Sequence, residues 1–157
     1  MTDKLLEPFS NATREVCKLM LDMDAVVGAP ESPESLKVLQ DKVTIMIGFT
    51  GDYSGETYYI FPEKTALEIV KSMSGMEIEE IDDFVTSAMG EISNIISGNA
   101  MTGLCESAIA CDIQPPKIIN GETVIDSLSA SHDARLINTG IKTPVGDIEL
   151  VVKVRVG

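Results

Sequence analysis

The chain has 157 residues, 44% of them apolar, and a formal net charge of −13. It is long enough to bury the core of one domain and too apolar to be a disordered chain. No apolar run approaches the ~20 residues of a membrane helix, and the acidic balance, with no Lys/Arg cluster, argues against nucleic acid and mainly confers solubility.

The first segment, MTDKLLEPFSNATREVCKLMLDMD, is charged throughout. It lacks the uninterrupted apolar stretch of a secretory signal, so the cytoplasm is the expected location. Leu5, Phe9, Val16, Leu19, Met20 and Met23 recur at helical spacing and predict an amphipathic helix over 4–23, with Pro8 near its start. GAPESPES, 28–35, reads as a loop. From 36 to 61 the pattern changes to LKVLQ, KVTIMIGF and ETYYIF, rich in Val, Ile, Thr and Tyr, and so to strands. TGDYSG joins the last two as the turn of an antiparallel hairpin. Pro62 opens a short helix, 62–73, that Gly75 closes.

A long helix follows over about 79–105, with Asp82 and Asp83 favourably placed near its N-terminus. CDIQPPKIING continues as an extended segment, because two prolines forbid helix and favour an edge or a strand entry. Further strands are expected near 123–129, 133–142 and 147–156, the last two joined by the turn TPVGD. The order of helices and strands predicts one α+β domain spanning 1–157, with a largely antiparallel sheet and long helices packed on it.

Several kinds of chemistry have no support. Cys17, Cys105 and Cys111 are an odd number without a Cys-x-x-Cys spacing, so neither a disulfide framework nor a zinc site is indicated, and each reads as a core or near-core residue. His132, the only histidine, reads as a surface or strand residue and is too few for a metal centre or a Ser-His triad. No phosphate-binding glycine loop is present.

The long helix carries the candidate site. Phe84, Val85, Ala88, Met89, Ile92, Ile95, Ile96 and Ala100 form a broad apolar face. Asp83, Ser87, Glu91, Asn94 and Gly98 form a second stripe roughly 130° from its centre. Thr86, Gly90, Ser93 and Ser97, all small, flank that stripe. Glycine weakens a helix by about 1 kcal/mol relative to alanine, and serine is also a poor helix former. A merely solvated face is more stable with Lys, Glu and Arg. The stripe therefore points to close approach by another surface, either a second helix of the same domain or a separate protein.

SAMGEISNIISGNA, with DIQPP about twenty residues later, resembles the CheC/CheX/FliY phosphatases of bacterial chemotaxis. Ser87, Glu91 and Asn94 match the family's Asp/Ser-x-x-x-Glu-x-x-Asn pattern, and Pro115 and Pro116 stand at its distal proline, at slightly short spacing. GFTGDYSGETYYIFPEKTALEIVKSMSGME is similar to the hairpin and helix that precede this motif in CheX. In NATREVCKLM, Asn11 and Glu15 are followed by Lys18 where a second Asn would stand, so one site per chain is expected, as in CheX. The resemblance implies hydrolysis of the aspartyl phosphate of a CheY-like response regulator. It implies that Asn94 orients the attacking water and Glu91 contacts the regulator's lysine. Ser87, Gly90, Ser93, Ser97 and Gly98 would form the docking surface. It further implies a homodimer, no cofactor or metal held by this chain, and Mg²⁺ in the regulator. A non-catalytic module that docks a regulator, or a structural part of a flagellar switch, are the alternatives.

Overall fold

The computed structural model describes residues 2–29, 42–119 and 134–155. Three helices, α1 (Thr2–Leu21), α2 (Glu63–Ser74) and α3 (Asp83–Glu106), accompany seven strands. These are β1 (Val26–Val27), β2 (Lys42–Gly51), β3 (Gly55–Pro62), β4 (Cys111–Ile113), β5 (Lys117–Ile119), β6 (Ala134–Thr143) and β7 (Gly146–Arg155). They form one sheet in the order β1-β6-β7-β3-β2-β4, with β5 also on β2. Every described pairing is antiparallel. The expected α+β architecture is therefore the observed one. The strands expected at 36–40 and 123–129, and His132, lie outside the described residues.

Alternation along the strands divides the sheet into two faces. Ile45, Ile47, Phe49, Tyr59, Phe61, Leu150 and Val152 point to one side and join the buried residues of all three helices in the main core. Tyr58, Ile60 and Val151 point to the other and form a smaller buried cluster with Met46, Ile119 and Leu136. The hairpin register is set by Phe49 opposite Gly55 and Val43 opposite Phe61.

The helix signals were mostly readable. α2 ends where Gly75 turns left-handed at φ 70°, its N–H bonding to the Lys71 carbonyl. α3 begins at Asp83 rather than near 79, because the Asp82 carboxylate accepts the Val85 N–H at 3.0 Å and caps it. α1 ends at Leu21, and Asp22 follows at φ 51°. Leu19 and Met20, expected on its apolar face, are 82% and 44% exposed. The buried face keeps the expected Leu5, Phe9 and Val16 and adds Ala12 and Cys17. Pro8 lies inside α1, and Gly103 of α3 sits against its ring. Cys17 is buried and Cys111 half-buried, but Cys105 is exposed, against the expectation of a core or near-core residue. At the end of α3 its apolar partners have run out: Glu106, Ser107 and Ala108 beside it are exposed too.

Candidate functional site

α3 packs along the sheet and is held there at three levels. At its N-terminus is the Asp82 cap. In its middle, the Tyr59 hydroxyl from β3 and the Ser97 Oγ are 2.7 Å apart in a fully buried hydrogen bond. Burial raises the Tyr59 phenol well above its ordinary value, while the Ser97 bond opposes that shift. Beyond its C-terminus, the β2–β3 turn grips the chain: Asp52 N–H donates to the Ala110 carbonyl at 2.9 Å, and Ala110 N–H donates to Asp52 Oδ2 at 2.8 Å. Gln114 N–H then donates to the Gly48 carbonyl at 2.8 Å. This leads into Pro115 and Pro116, of which Pro115 is exposed and Pro116 half-buried. A Cβ on Gly90 would lie 3.7 Å from the Pro116 ring, so the proline seats the turn of α3 just before Glu91.

The buried positions of α3 include Val85, Met89, Ile92, Ile96 and Ala100, but also Gly90, Ser93 and Ser97. At 100° per residue these fill an arc of roughly 160° centred opposite Glu91. The small residues are thus part of the inward face. Ser93 and Ser97 are 0% exposed, and Ser93 Oγ donates to the Met89 carbonyl at 2.8 Å. Gly90, Ser93 and Ser97 consequently do not line an outer docking surface. They let the helix lie close to β3 and to the segment around Pro116. The alternative of close packing within the domain accounts for these three.

The outward stripe is what remains. Ser87 and Glu91 are exposed, and Asn94 and Gly98 are half-buried. Among the described residues, the Glu91 and Asn94 side chains make no hydrogen bond or ion pair. They project from a helix, DFVTSAMGEISNIISGNAMTGLCE, that contains no Lys, Arg or His. Phe84, expected in the core, is 48% exposed on this same side. Seven residues separate it from Glu91, and that spacing brings it round to nearly the same direction.

A cleft of about 690 Å³ lies elsewhere, between α1 and the C-terminal part of α3. Glu7, Asn11, Glu15, Asn99 and Glu106 are among its lining residues, and Glu91 and Asn94 are not. Asn11 and Glu15 thus face a cleft, and Lys18, in the place of a second motif asparagine, pairs with Asp24 at 3.2 Å. No group of His, Cys, Asp or Glu that could hold a metal occurs among the described residues, nor a helix long and apolar enough to cross a membrane.

The site is an outward helix face carrying a carboxylate and an amide one turn apart, outside the cleft between α1 and α3. Such a face suits a protein surface that brings its own reactive group. The family model for the chemotaxis phosphatase CheX matches residues 43–136, which takes in the hairpin, α2, the whole of α3 and the Pro115–Pro116 segment. The chain belongs to the CheX family. It is 29% identical over 122 residues, 77% of this chain and 78% of the relative, to the CheY-P phosphatase CheX of Thermotoga maritima. Among solved structures it is similar to CheX from Desulfovibrio desulfuricans, with a TM-score of 0.79 at 25% identity over 97% of this chain and 99% of that one. A CheC-like protein from Shewanella sp. PV-4 gives 0.81 at 24% identity, with 99% of each chain covered. A chain of the CheX–CheY–BeF3–Mg²⁺ complex from Borrelia burgdorferi gives 0.77 at 27% identity, over 96% and 97%. The CheX family's fold and the α+β reading of the sequence therefore agree.

Proposed function

We propose that this chain is a phosphatase for a CheY-like response regulator, hydrolysing the regulator's aspartyl phosphate through Asn94 and Glu91. Membership of the CheX family supports the activity. The observation that carries the residue roles is that Glu91 and Asn94 project, without partners among the described residues, from the outward side of a helix locked to the sheet beneath them.

An aspartyl phosphate is an activated mixed anhydride. Its hydrolysis needs a water held in line with the breaking P–O bond and control of the charge around the phosphoryl group. A carboxamide is no base, but its Oδ1 accepts a hydrogen bond from a water O–H and its Nδ2 donates to oxygen. Asn94, carried on a rigid helix, places such a water at the end of its side chain. The water oxygen bonds to phosphorus as the P–O bond to the regulator's aspartate breaks. The products are inorganic phosphate and a free carboxylate, with the water's proton passing to solvent or phosphate. Glu91, one turn away, makes a charge-assisted contact with the regulator's lysine and fixes the register of docking. A divalent metal carried by the regulator supplies the countercharge to the phosphoryl oxygens. Ser87 borders Glu91 on the exposed stripe, and Pro116, which follows the exposed Pro115, lies against Gly90. The same reading locates the protein in the cytoplasm with its regulator and pairs it as a homodimer.

The test is phosphate release from regulators charged with a small phosphodonor and Mg²⁺. Wild type is expected to accelerate release, Asn94→Ala to lose about a hundredfold, the scale of lost positioning, and Glu91→Ala to raise KM about tenfold or more, the scale of a lost charge-assisted bond. Binding of a charged regulator without faster release would make the helix a docking face and sink the enzymatic reading.

A further inference from the structure

Phe84 and Gly98 stand seven residues before and seven after Glu91. At 100° per residue each returns to within about 20° of it, so the three lie on one line about 21 Å long. Both ends of that line are anomalous for a free helix surface. Phe84 is 48% exposed, although its neighbour Val85 is fully buried. A Cβ on Gly98 would meet nothing within 4 Å beyond the helix's own backbone. A glycine inside a helix lowers its stability relative to alanine, so an internal reason for it is expected. The other two glycines of α3 at least have a close neighbour: a Cβ on Gly90 would lie 3.7 Å from the Pro116 ring and one on Gly103 3.4 Å from Pro8. Gly98 has none among the described residues.

We infer that Phe84 and Gly98 mark the two ends of the footprint that the phosphorylated regulator covers on α3, with Phe84 as its apolar anchor and Gly98 as the point of closest approach. This rests on the function proposed above, and it extends the contact beyond the Glu91–Asn94 pair in both directions. The partner is specified by continuity with that pair. A protein surface whose phosphoryl group reaches Asn94 and whose lysine reaches Glu91 must also cover helix on either side. A patch of standard size, roughly 800 Å² per partner, is wider than the 21 Å line. The matching surface has an apolar recess opposite Phe84 and a ridge opposite Gly98. Its charge near α3 is positive, since α3 offers Asp83 and Glu91 and no Lys, Arg or His. An aromatic side chain at the edge of such a contact buries a large area for little lost rotamer freedom, which makes it an effective anchor.

The experiment compares steady-state hydrolysis of one charged regulator by wild type, Phe84→Ala and Gly98→Ala, with melting temperatures of each. For Phe84→Ala the expected result is a KM raised about tenfold, kcat within twofold, and an unchanged or higher melting temperature. For Gly98→Ala it is a higher melting temperature together with a raised KM, a combination that a purely structural glycine does not give. An active wild type with KM unmoved in both variants overturns the footprint and leaves the proposed function standing. A wild type that speeds the decay of no regulator overturns the function and the footprint with it.

Discussion

Tyr59 carries more of the site than its distance from it suggests. It is 0% exposed, and its hydroxyl reaches α3 at Ser97, on the side of the helix facing away from Glu91. A buried phenol that lost its polar partner Ser97 would cost about 1–3 kcal/mol, so the bond favours one rotation of α3 over its neighbours. That rotation decides where Glu91 and Asn94 point. The bond also has a pH signature. Burial raises the Tyr59 phenol above its ordinary value of 10.0 and the Cys17 thiol above 9.0. Each folded-state value lies above the unfolded one, so each group's contribution is fully present below the unfolded value and is lost as pH rises through the folded one. Stability measured by urea unfolding is therefore expected to hold through neutral pH, to fall above about pH 9 as the unfolded thiol ionises, and to fall more steeply above about pH 10. Tyr59→Phe should be about 1 kcal/mol less stable at pH 7 and should lack the steeper part of the alkaline loss. A variant with the same alkaline slope as wild type would show that Tyr59 is not the titrating group.

At the scale of elements, the contact to test is α3 against the segment between β4 and β5. Gly90 faces Pro116 at a distance that accepts a methyl group and nothing larger. Gly90→Ala should be neutral or stabilise by up to about 1 kcal/mol through helix propensity. Gly90→Leu should lift this turn of α3 from the proline, at about 1–3 kcal/mol for an overpacked site, and displace Glu91 in the next position. The expected readout is a fall in phosphatase kcat/KM for Gly90→Leu well beyond that of Gly90→Ala, at a temperature where both variants are folded by circular dichroism. Equal activities would separate the Pro116 seat from the function. The same contact explains what the sequence could and could not tell. Periodicity located the hairpin, α2 and α3, because each buries a face in a regular repeat, and the resemblance picked out Glu91 and Asn94. Which of the small residues faced inward was not legible. Gly90, Ser93 and Ser97 have no apolar signature, and their placement depends on Pro116 and on Tyr59, distant in the chain from one another. Phe84 reads as core by its aromatic character beside Val85, although its seven-residue spacing from Glu91 already turns it to the outward side, where it is 48% exposed. The two-residue strand β1 gave no periodic signal at all, since its pairing with Lys142 and Ile141 of β6 is set by the chain's return from α1.

For the whole molecule the governing quantity is the charge of −13. The described ion pairs number four, Lys18–Asp24, Lys71–Glu68, Lys153–Glu56 and Arg155–Glu56. Lys18–Asp24 and Lys71–Glu68 are solvent-accessible, and such pairs contribute at most about 1 kcal/mol each. The two that share Glu56 bridge β3 and β7, and Glu56 is only 13% exposed, so salt screens them less. Glu77, Glu79, Glu80, Asp82 and Asp83, by contrast, are exposed and crowded together before and at the start of α3 without a cation between them. Screening therefore removes more repulsion than attraction. The Debye length falls from about 30 Å at 0.01 M to about 8 Å at 0.15 M, which spans the spacing of those carboxylates. The melting temperature is expected to rise by a few degrees between 0.01 M and 0.3 M sodium chloride and then to level off, because sodium chloride acts here by screening rather than by exclusion from the surface. A fall over that range would mean that the ion pairs outweigh the repulsion. The same salt series applied to regulator dephosphorylation should act in the opposite direction: an acidic helix that meets a positive face gains association rate from attraction, so kcat/KM should decline as salt rises while the fold grows more stable.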